Sequence, residues 1–149
     1  KASDAAGRKL PTEGKVFISV KDADKRAMVP AARTLTSMGF ELTATGGTFK
    51  VLQRHGIKCE RVNKVHEGRP NVVDLVKSGE IDLIINTPLG KVTRHDDGMI
   101  RSDAYQVGIP CLTTMSAAMA AVEGIGALLG DEASVKCLQE FYQPAPVEA

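Results

Sequence analysis

The sequence predicts a three-layer α/β fold, with helices on both faces of a mostly parallel five-stranded sheet. Short apolar runs alternate about five times with helical patterns, the order that parallel strands and crossover helices produce. The connections between them are short, and no internal repeat or low-complexity segment interrupts the series. The runs at residues 15–20 and 81–85 are mostly apolar, as strands covered on both faces are.

Residues 1–13 are polar, contain Gly and Pro, and lack periodicity, so they read as a linker or tail. The first strand is expected at residues 15–20, followed by a loop at 21–25 in which Asp24 is placed to cap a helix. That helix carries Met28, Ala31, Ala32, Leu35 and Met38 at helical spacing and stops at Gly39. Pro30 fits if the helix starts only a few residues earlier, where N–H groups have no partner. A second strand, Gly39-Phe40-Glu41-Leu42, leads into the polar stretch Thr43-Ala44-Thr45-Gly46-Gly47-Thr48, read as a loop. Val51, Leu52 and His55 then mark a helix that Gly56 ends.

A shorter third strand runs from Cys59 to Val62, and a loop follows through Asn63-Lys64-Val65-His66-Glu67-Gly68-Arg69-Pro70. Val72, Val73, Leu75 and Val76 form a short helix stopped by Gly79. Residues 81–85, the most hydrophobic run, make a central strand ending in Asn86-Thr87-Pro88. A charged loop at 90–98, a helix around 102–107 and a last strand at 108–114 come next. Residues 115–129 are Ala-rich and helical although Gly124 and Gly126 weaken them, 131–142 can form a terminal helix, and 143–149 read as a disordered tail. The whole is a Rossmann-like arrangement.

A chain of 149 residues fits one domain with a real core. Its net charge of +1 makes no case for nucleic acid or a membrane surface. No apolar run approaches a membrane span, and no signal-peptide core is present. Cys59, Cys111 and Cys137 lack metal-type spacing; two lie in apolar runs, which predicts buried, reduced thiols and a cytoplasmic location. The chain opens at Lys1 rather than Met, as a segment of a longer polypeptide would.

In a parallel sheet, ligands bind beyond the carboxyl ends of the strands. The residues expected there are 21–25, 45–48, Asn63 and Lys64, Asn86 and Thr87, and Thr113 and Thr114. Lys25 and Lys64 supply charge, Thr45, Thr48 and Thr87 supply hydroxyls, and Gly46 and Gly47 admit close approach and positive φ. Together with the free N–H groups of a helix start, these suit a phosphorylated ligand. Each residue also has an ordinary reading, as a solvated lysine, a strand threonine or a βα turn, and only their joint placement favours an anion site. His66 and Glu67, and His95, Asp96 and Asp97, form two clusters in which a His–Asp pair could move a proton. No nucleophile motif, Walker A pattern or metal-binding pattern accompanies them, so no catalytic residue and no metal ligand are assigned.

From Gly14 to about Leu128 the chain resembles methylglyoxal-synthase-like domains, and more narrowly the C-terminal allosteric domain of carbamoyl-phosphate synthase large subunits. The resemblance rests on the Asn63 to Pro70 run, on Ser19-Val20 with Asp24-Lys25, on Ala44-Thr45-Gly46-Gly47-Thr48, and on Ile84-Ile85-Asn86-Thr87. It implies a domain, residues 14–142, that binds a regulatory nucleotide, UMP or IMP, and needs no cofactor of its own. The parent synthase would carry the chemistry in preceding ATP-grasp domains using ATP with Mg or Mn. It would pair with a glutaminase small subunit and make carbamoyl phosphate for pyrimidine and arginine synthesis. Carried over by position, Lys25, Thr45 and Thr48 would contact phosphate. Lys64 and Asn86 would face base and ribose or help with phosphate, with Thr87 beside them, and Lys91 would stand near the nucleotide. Thr113 and Thr114 would mark a second effector region.

The departures are specific. Pro88 stands where the bacterial domain has a further threonine, and Leu112 where an acidic residue serves the ornithine response. The chain has no tryptophan, which the animal N-acetylglutamate pocket uses. Arg69 falls where methylglyoxal synthases place a catalytic aspartate, which weighs against the alternative of a small phosphate-substrate lyase. The cyclohydrolase half of the purine-pathway bifunctional enzyme shares the turn but not the His-Glu-Gly-Arg-Pro run.

Overall fold

A computed structural model describes residues 9–88 and 94–130. Five strands, β1 (Lys15–Ser19), β2 (Glu41–Thr45), β3 (Glu60–Val62), β4 (Leu83–Asn86) and β5 (Cys111–Leu112), form one sheet. Its order is β3-β2-β1-β4-β5. Every pairing is parallel. The helices are α1 (Lys25–Ser37), α2 (Gly46–Arg54), α3 (Val72–Lys77), α4 (Arg94–Val107) and α5 (Met115–Leu129).

Period-two alternation sends the strand side chains into two separate cores. Val16, Ile18, Leu42, Ala44, Leu83 and Ile85 meet α1, α2 and α5 through Met28, Leu35, Leu52, Val122 and Ile125. Phe17, Val62 and Ile84 meet α3 and α4 through Val72, Val76, Ile100 and Ala104. The three predicted layers are therefore present, and β1 holds the middle of the sheet with β4 beside it.

Several local expectations change. The stretch from Thr43 to Thr48 is not a loop. Thr43 and Ala44 extend β2 in register with Phe17 and Ile18, and the chain turns into α2 directly at Gly46. Gly46 and Gly47 have ordinary helical φ, so neither is required for a left-handed backbone. Asp24 closes a 3-10 turn, Asp22–Asp24, with helical φ −94° and ψ −13°, and makes no side-chain cap. An extended backbone is what a capping carboxylate needs. Its Oδ2 lies instead 3.7 Å from Lys21 Nζ. Pro30 is further inside α1 than expected, but on its exposed face, where the carbonyl it frees meets solvent.

Helix α4 begins at Arg94 rather than near Ser102, so Asp96 and Asp97 belong to its first turn and complement its dipole. The last strand is only two residues long. Helix α5 runs unbroken past its glycines, which face Leu10 and Met38: β-carbons there would lie in ordinary contact with Leu10 Cδ1 at 3.4 Å and Met38 Sδ at 3.8 Å. Leu10, from the segment expected to be a tail, thus packs on the core. Cys59 and Cys111 are half-buried rather than buried, and burial pushes the Cys59 thiol above its ordinary value. The expected helix at 131–142, the tail at 143–149, residues 1–8, Lys91 and Cys137 lie outside the described residues.

Candidate functional site

The chain leaves β1 to one side for β2 and β3, then returns to the other side for β4. The reversal opens a crevice between the carboxyl ends of β1 and β4, where α/β sheets take their ligands. A small cleft of about 30 Å³ occupies this place. Ser19, Thr45, Lys64, Asn86, Thr87 and Asp97 give it polar walls, and Val65, Val72 and Ile100 give it an apolar side.

Hydroxyls tie the segment after β1 to both neighbouring strand ends. Ser19 Oγ and Thr45 Oγ1 are hydrogen-bonded at 3.0 Å. Thr48 Oγ1 accepts from the Val20 N–H at 3.2 Å, and Thr87 Oγ1 accepts from the Lys21 N–H at 3.0 Å. A threonine that accepts a main-chain N–H keeps its own O–H to donate. These buried threonines therefore hold the loop in place and remain potential donors.

The start of α2 adjoins the cleft. Thr45 precedes it in extended conformation and gives no side-chain cap, so the first N–H groups of Gly46, Gly47 and Thr48 are not capped from that residue. Cations from two elements converge there. A β-carbon on Gly47 would lie 2.8 Å from Lys25 Nζ, and one on Gly46 would lie 3.7 Å from Arg61 Nε. Lys25 Nζ is paired with Asp22 Oδ1. Hydrogen bonding to that ammonium holds the Asp22 carboxyl below its ordinary value, and the Lys64 charge adds to the effect. Lys25 and Lys64 therefore share one electrostatic neighbourhood.

On the far side, Asn86 Nδ2 donates to Asp97 Oδ1 at 3.1 Å. His66 Nδ1 and Asp96 Oδ2 meet at 2.6 Å, joining two clusters that lie apart in sequence. Short helix α3, which supplies Val72, is fixed by Asn71, whose Oδ1 accepts from Val73 and Asp74 while Asp74 Oδ2 accepts from the Asn71 N–H. Arg69 points elsewhere: its Nε lies 3.8 Å from Asp74 Oδ1 and the side chain is largely exposed.

Of the residues singled out from sequence, Thr45, Lys64, Asn86 and Thr87 share the cleft, and Lys25, Gly46, Gly47 and Thr48 stand at the adjoining helix start. Thr113 and Thr114 do not line it. Thr114 instead caps α5, accepting from the Ala117 N–H at 3.1 Å. Ser19, Asp22, Arg61 and Asp97 were not among the assigned site residues. Ser19 is within reach of the strand-end rule; Asp97 is legible only as part of the His95–Asp97 cluster, because its charged run lacks the apolar periodicity that would place it at the cleft. Among the described residues no group of three His, Cys, Asp or Glu side chains is placed to hold a metal ion.

The family model for the MGS-like domain matches residues 27–113. The chain is 51% identical over 144 residues to the C-terminal section of a carbamoyl phosphate synthase large chain of Methanopyrus kandleri, a match covering 96% of this chain and 27% of that one. It is 50% identical over 142 residues to the carbamoyl phosphate synthase large chain of Acidobacterium capsulatum, covering 95% of this chain and 13% of that one. The chain thus spans a minor part of the relatives it matches. A methylglyoxal synthase from Elizabethkingia anophelis NUHP1 superposes with a TM-score of 0.62 at 17% identity, over 93% of this chain and 97% of that one. This last likeness is one of fold.

Proposed function

The chain belongs to the MGS-like domain family, and from that premise we propose that it is an effector-binding domain of a carbamoyl-phosphate synthase large chain. Its ligand is a regulatory nucleotide, UMP or IMP, held chiefly by the phosphate. Lys25, Thr45 and Thr48 contact the phosphate together with the first N–H groups of α2. Lys64, Asn86 and Thr87 take the rest of the nucleotide, with Lys91 near it. The observation that carries this reading is the position of the Lys25 ammonium over Gly47, at a helix start that the preceding threonine does not cap. Positive charge, free N–H groups and hydroxyl donors at one point are what a phosphate requires.

In the parent, glutamine or ammonia, bicarbonate and ATP with Mg or Mn become carbamoyl phosphate elsewhere in the polypeptide and its glutaminase subunit, in the cytoplasm. The nucleotide acts by preferring one state of that assembly, a coupling of typically ~1–3 kcal/mol. A second reading, a small lyase acting on a phosphorylated substrate, is favoured by the His66–Asp96 pair at the cleft. Against it, Arg69 is a fixed cation turned toward Asp74, and cannot serve as a carboxylate base.

Isothermal titration of the chain with UMP, IMP, ornithine and N-acetylglutamate, each repeated with Lys25→Ala, decides between them. Saturable binding of one nucleotide, lost in the variant, is the expected result. Binding that is indifferent to Lys25, or turnover of dihydroxyacetone phosphate, would overturn the proposal.

A further inference from the structure

Asp97 is a buried cleft residue whose carboxylate has an unmet hydrogen-bonding capacity. It is 8% exposed, and its Oδ1 accepts from Asn86. Its Oδ2, with less than 1 Å² of accessible surface, has no hydrogen-bond partner. Ser19, Thr45, Asn86 and Thr87 around it are all partnered within the chain. A buried carboxylate oxygen without a donor is held against its desolvation cost, so whatever meets it must bring an O–H or N–H. Phosphate oxygens and carbonyls do not. An ammonium ligand is disfavoured by Lys64 in the same cleft.

Position narrows the donor further. Asn86 ends β4 and Thr45 ends β2, with β1 between them. Two strand spacings amount to roughly 10 Å. A ligand that reaches both ends is anionic at the α2 end and hydroxyl-bearing at the Asp97 end. The apolar side made by Val65, Val72 and Ile100 lies beside the latter, where the flat body of a base can rest.

Building on the nucleotide reading above, we propose that Asp97 reads the sugar of the bound nucleotide. Its Oδ2 accepts a hydrogen bond from the ribose 2′-hydroxyl, so the cleft selects ribonucleoside monophosphates over their 2′-deoxy counterparts. The torsion about χ2 is soft in aspartate, so a small turn of the whole carboxylate, with the Asn86 amide following Oδ1, brings Oδ2 to the cleft. Asn86, in turn, positions Asp97.

The test is calorimetric titration of the chain with UMP, dUMP and inorganic phosphate. Wild type is expected to bind UMP about tenfold or more tightly than dUMP, the loss associated with an unpaired charged acceptor. Asp97→Asn should bring the two nucleotides within about twofold of one another while leaving the affinity for phosphate unchanged. Equal binding of UMP and dUMP by wild type overturns the proposal without any variant. So does an intact preference in Asp97→Asn. If both nucleotides bind equally and Lys25→Ala abolishes both, the nucleotide reading stands and only the role of Asp97 falls. If no nucleotide or phosphate binds, both fall.

Discussion

The ammonium of Lys25 stands over Gly47, 2.8 Å from where a β-carbon at that position would lie. Glycine at 47 is thus a matter of room for a cation rather than of backbone conformation. Gly47→Ala should push the ammonium aside and weaken nucleotide binding about three- to tenfold. The same change should leave folding intact or stabilise it by about 0.5 kcal/mol, since alanine is the better helix residue. Titration calorimetry beside thermal unfolding would show the two effects moving in opposite directions.

Lys25→Ala removes the charge outright and is expected to weaken binding by roughly 1.5–3 kcal/mol. Its effect on stability should be small, because the ion pair it loses is with a carboxylate whose side chain is 85% exposed. Urea unfolding of the variant checks that the loss is one of recognition.

Thr48→Val behaves differently. The Thr48 hydroxyl accepts from the buried Val20 N–H, and valine leaves that donor unpaired, at a cost of about 1–3 kcal/mol of folding stability. Thr48→Ser should restore most of it. Chemical denaturation of the three proteins gives the comparison.

Asn71→Ala deletes the cap and half of the reciprocal box that fixes α3. About 1 kcal/mol of stability should go with it, and hydrogen exchange should rise at Val73 and Asp74, whose N–H groups the Asn71 side chain holds.

Asp22 sets an acid limb. Its folded carboxyl is held below the ordinary value by Lys25, so the stabilisation is present above that value and lost as pH falls through the lowered one. The difference in thermal midpoint between wild type and Asp22→Asn should be full at neutral pH and close below about pH 4. The Asp22 carboxylate competes with a phosphate for the Lys25 ammonium, so Asp22→Asn should also bind nucleotide more tightly at neutral pH.

What could be read from the sequence was whatever depends on local pattern. Apolar runs marked the strands, and Gly39, Gly56 and Gly79, all at positive φ, ended the segments they were expected to end. The edge carrying Lys25, Thr45, Lys64 and Asn86 followed from strand direction alone. The start of α4 did not, because Asp96 and Asp97 favour a helix through its dipole rather than through apolar spacing. The pairs Ser19–Thr45, His66–Asp96 and Asn86–Asp97 join residues 26, 30 and 11 positions apart, and only the packed sheet brings them together. Arg61 lies on an edge strand whose face is decided by register with Ala44.

Both margins of the sheet are blunt. β3 has three residues and β5 two, so an approaching strand finds few unpaired amides to copy, and on β3 it meets the charges of Glu60 and Arg61. Short, charged borders of this kind discourage polymerisation through the backbone. Among the described residues, neither edge therefore offers a second copy a long ladder to extend.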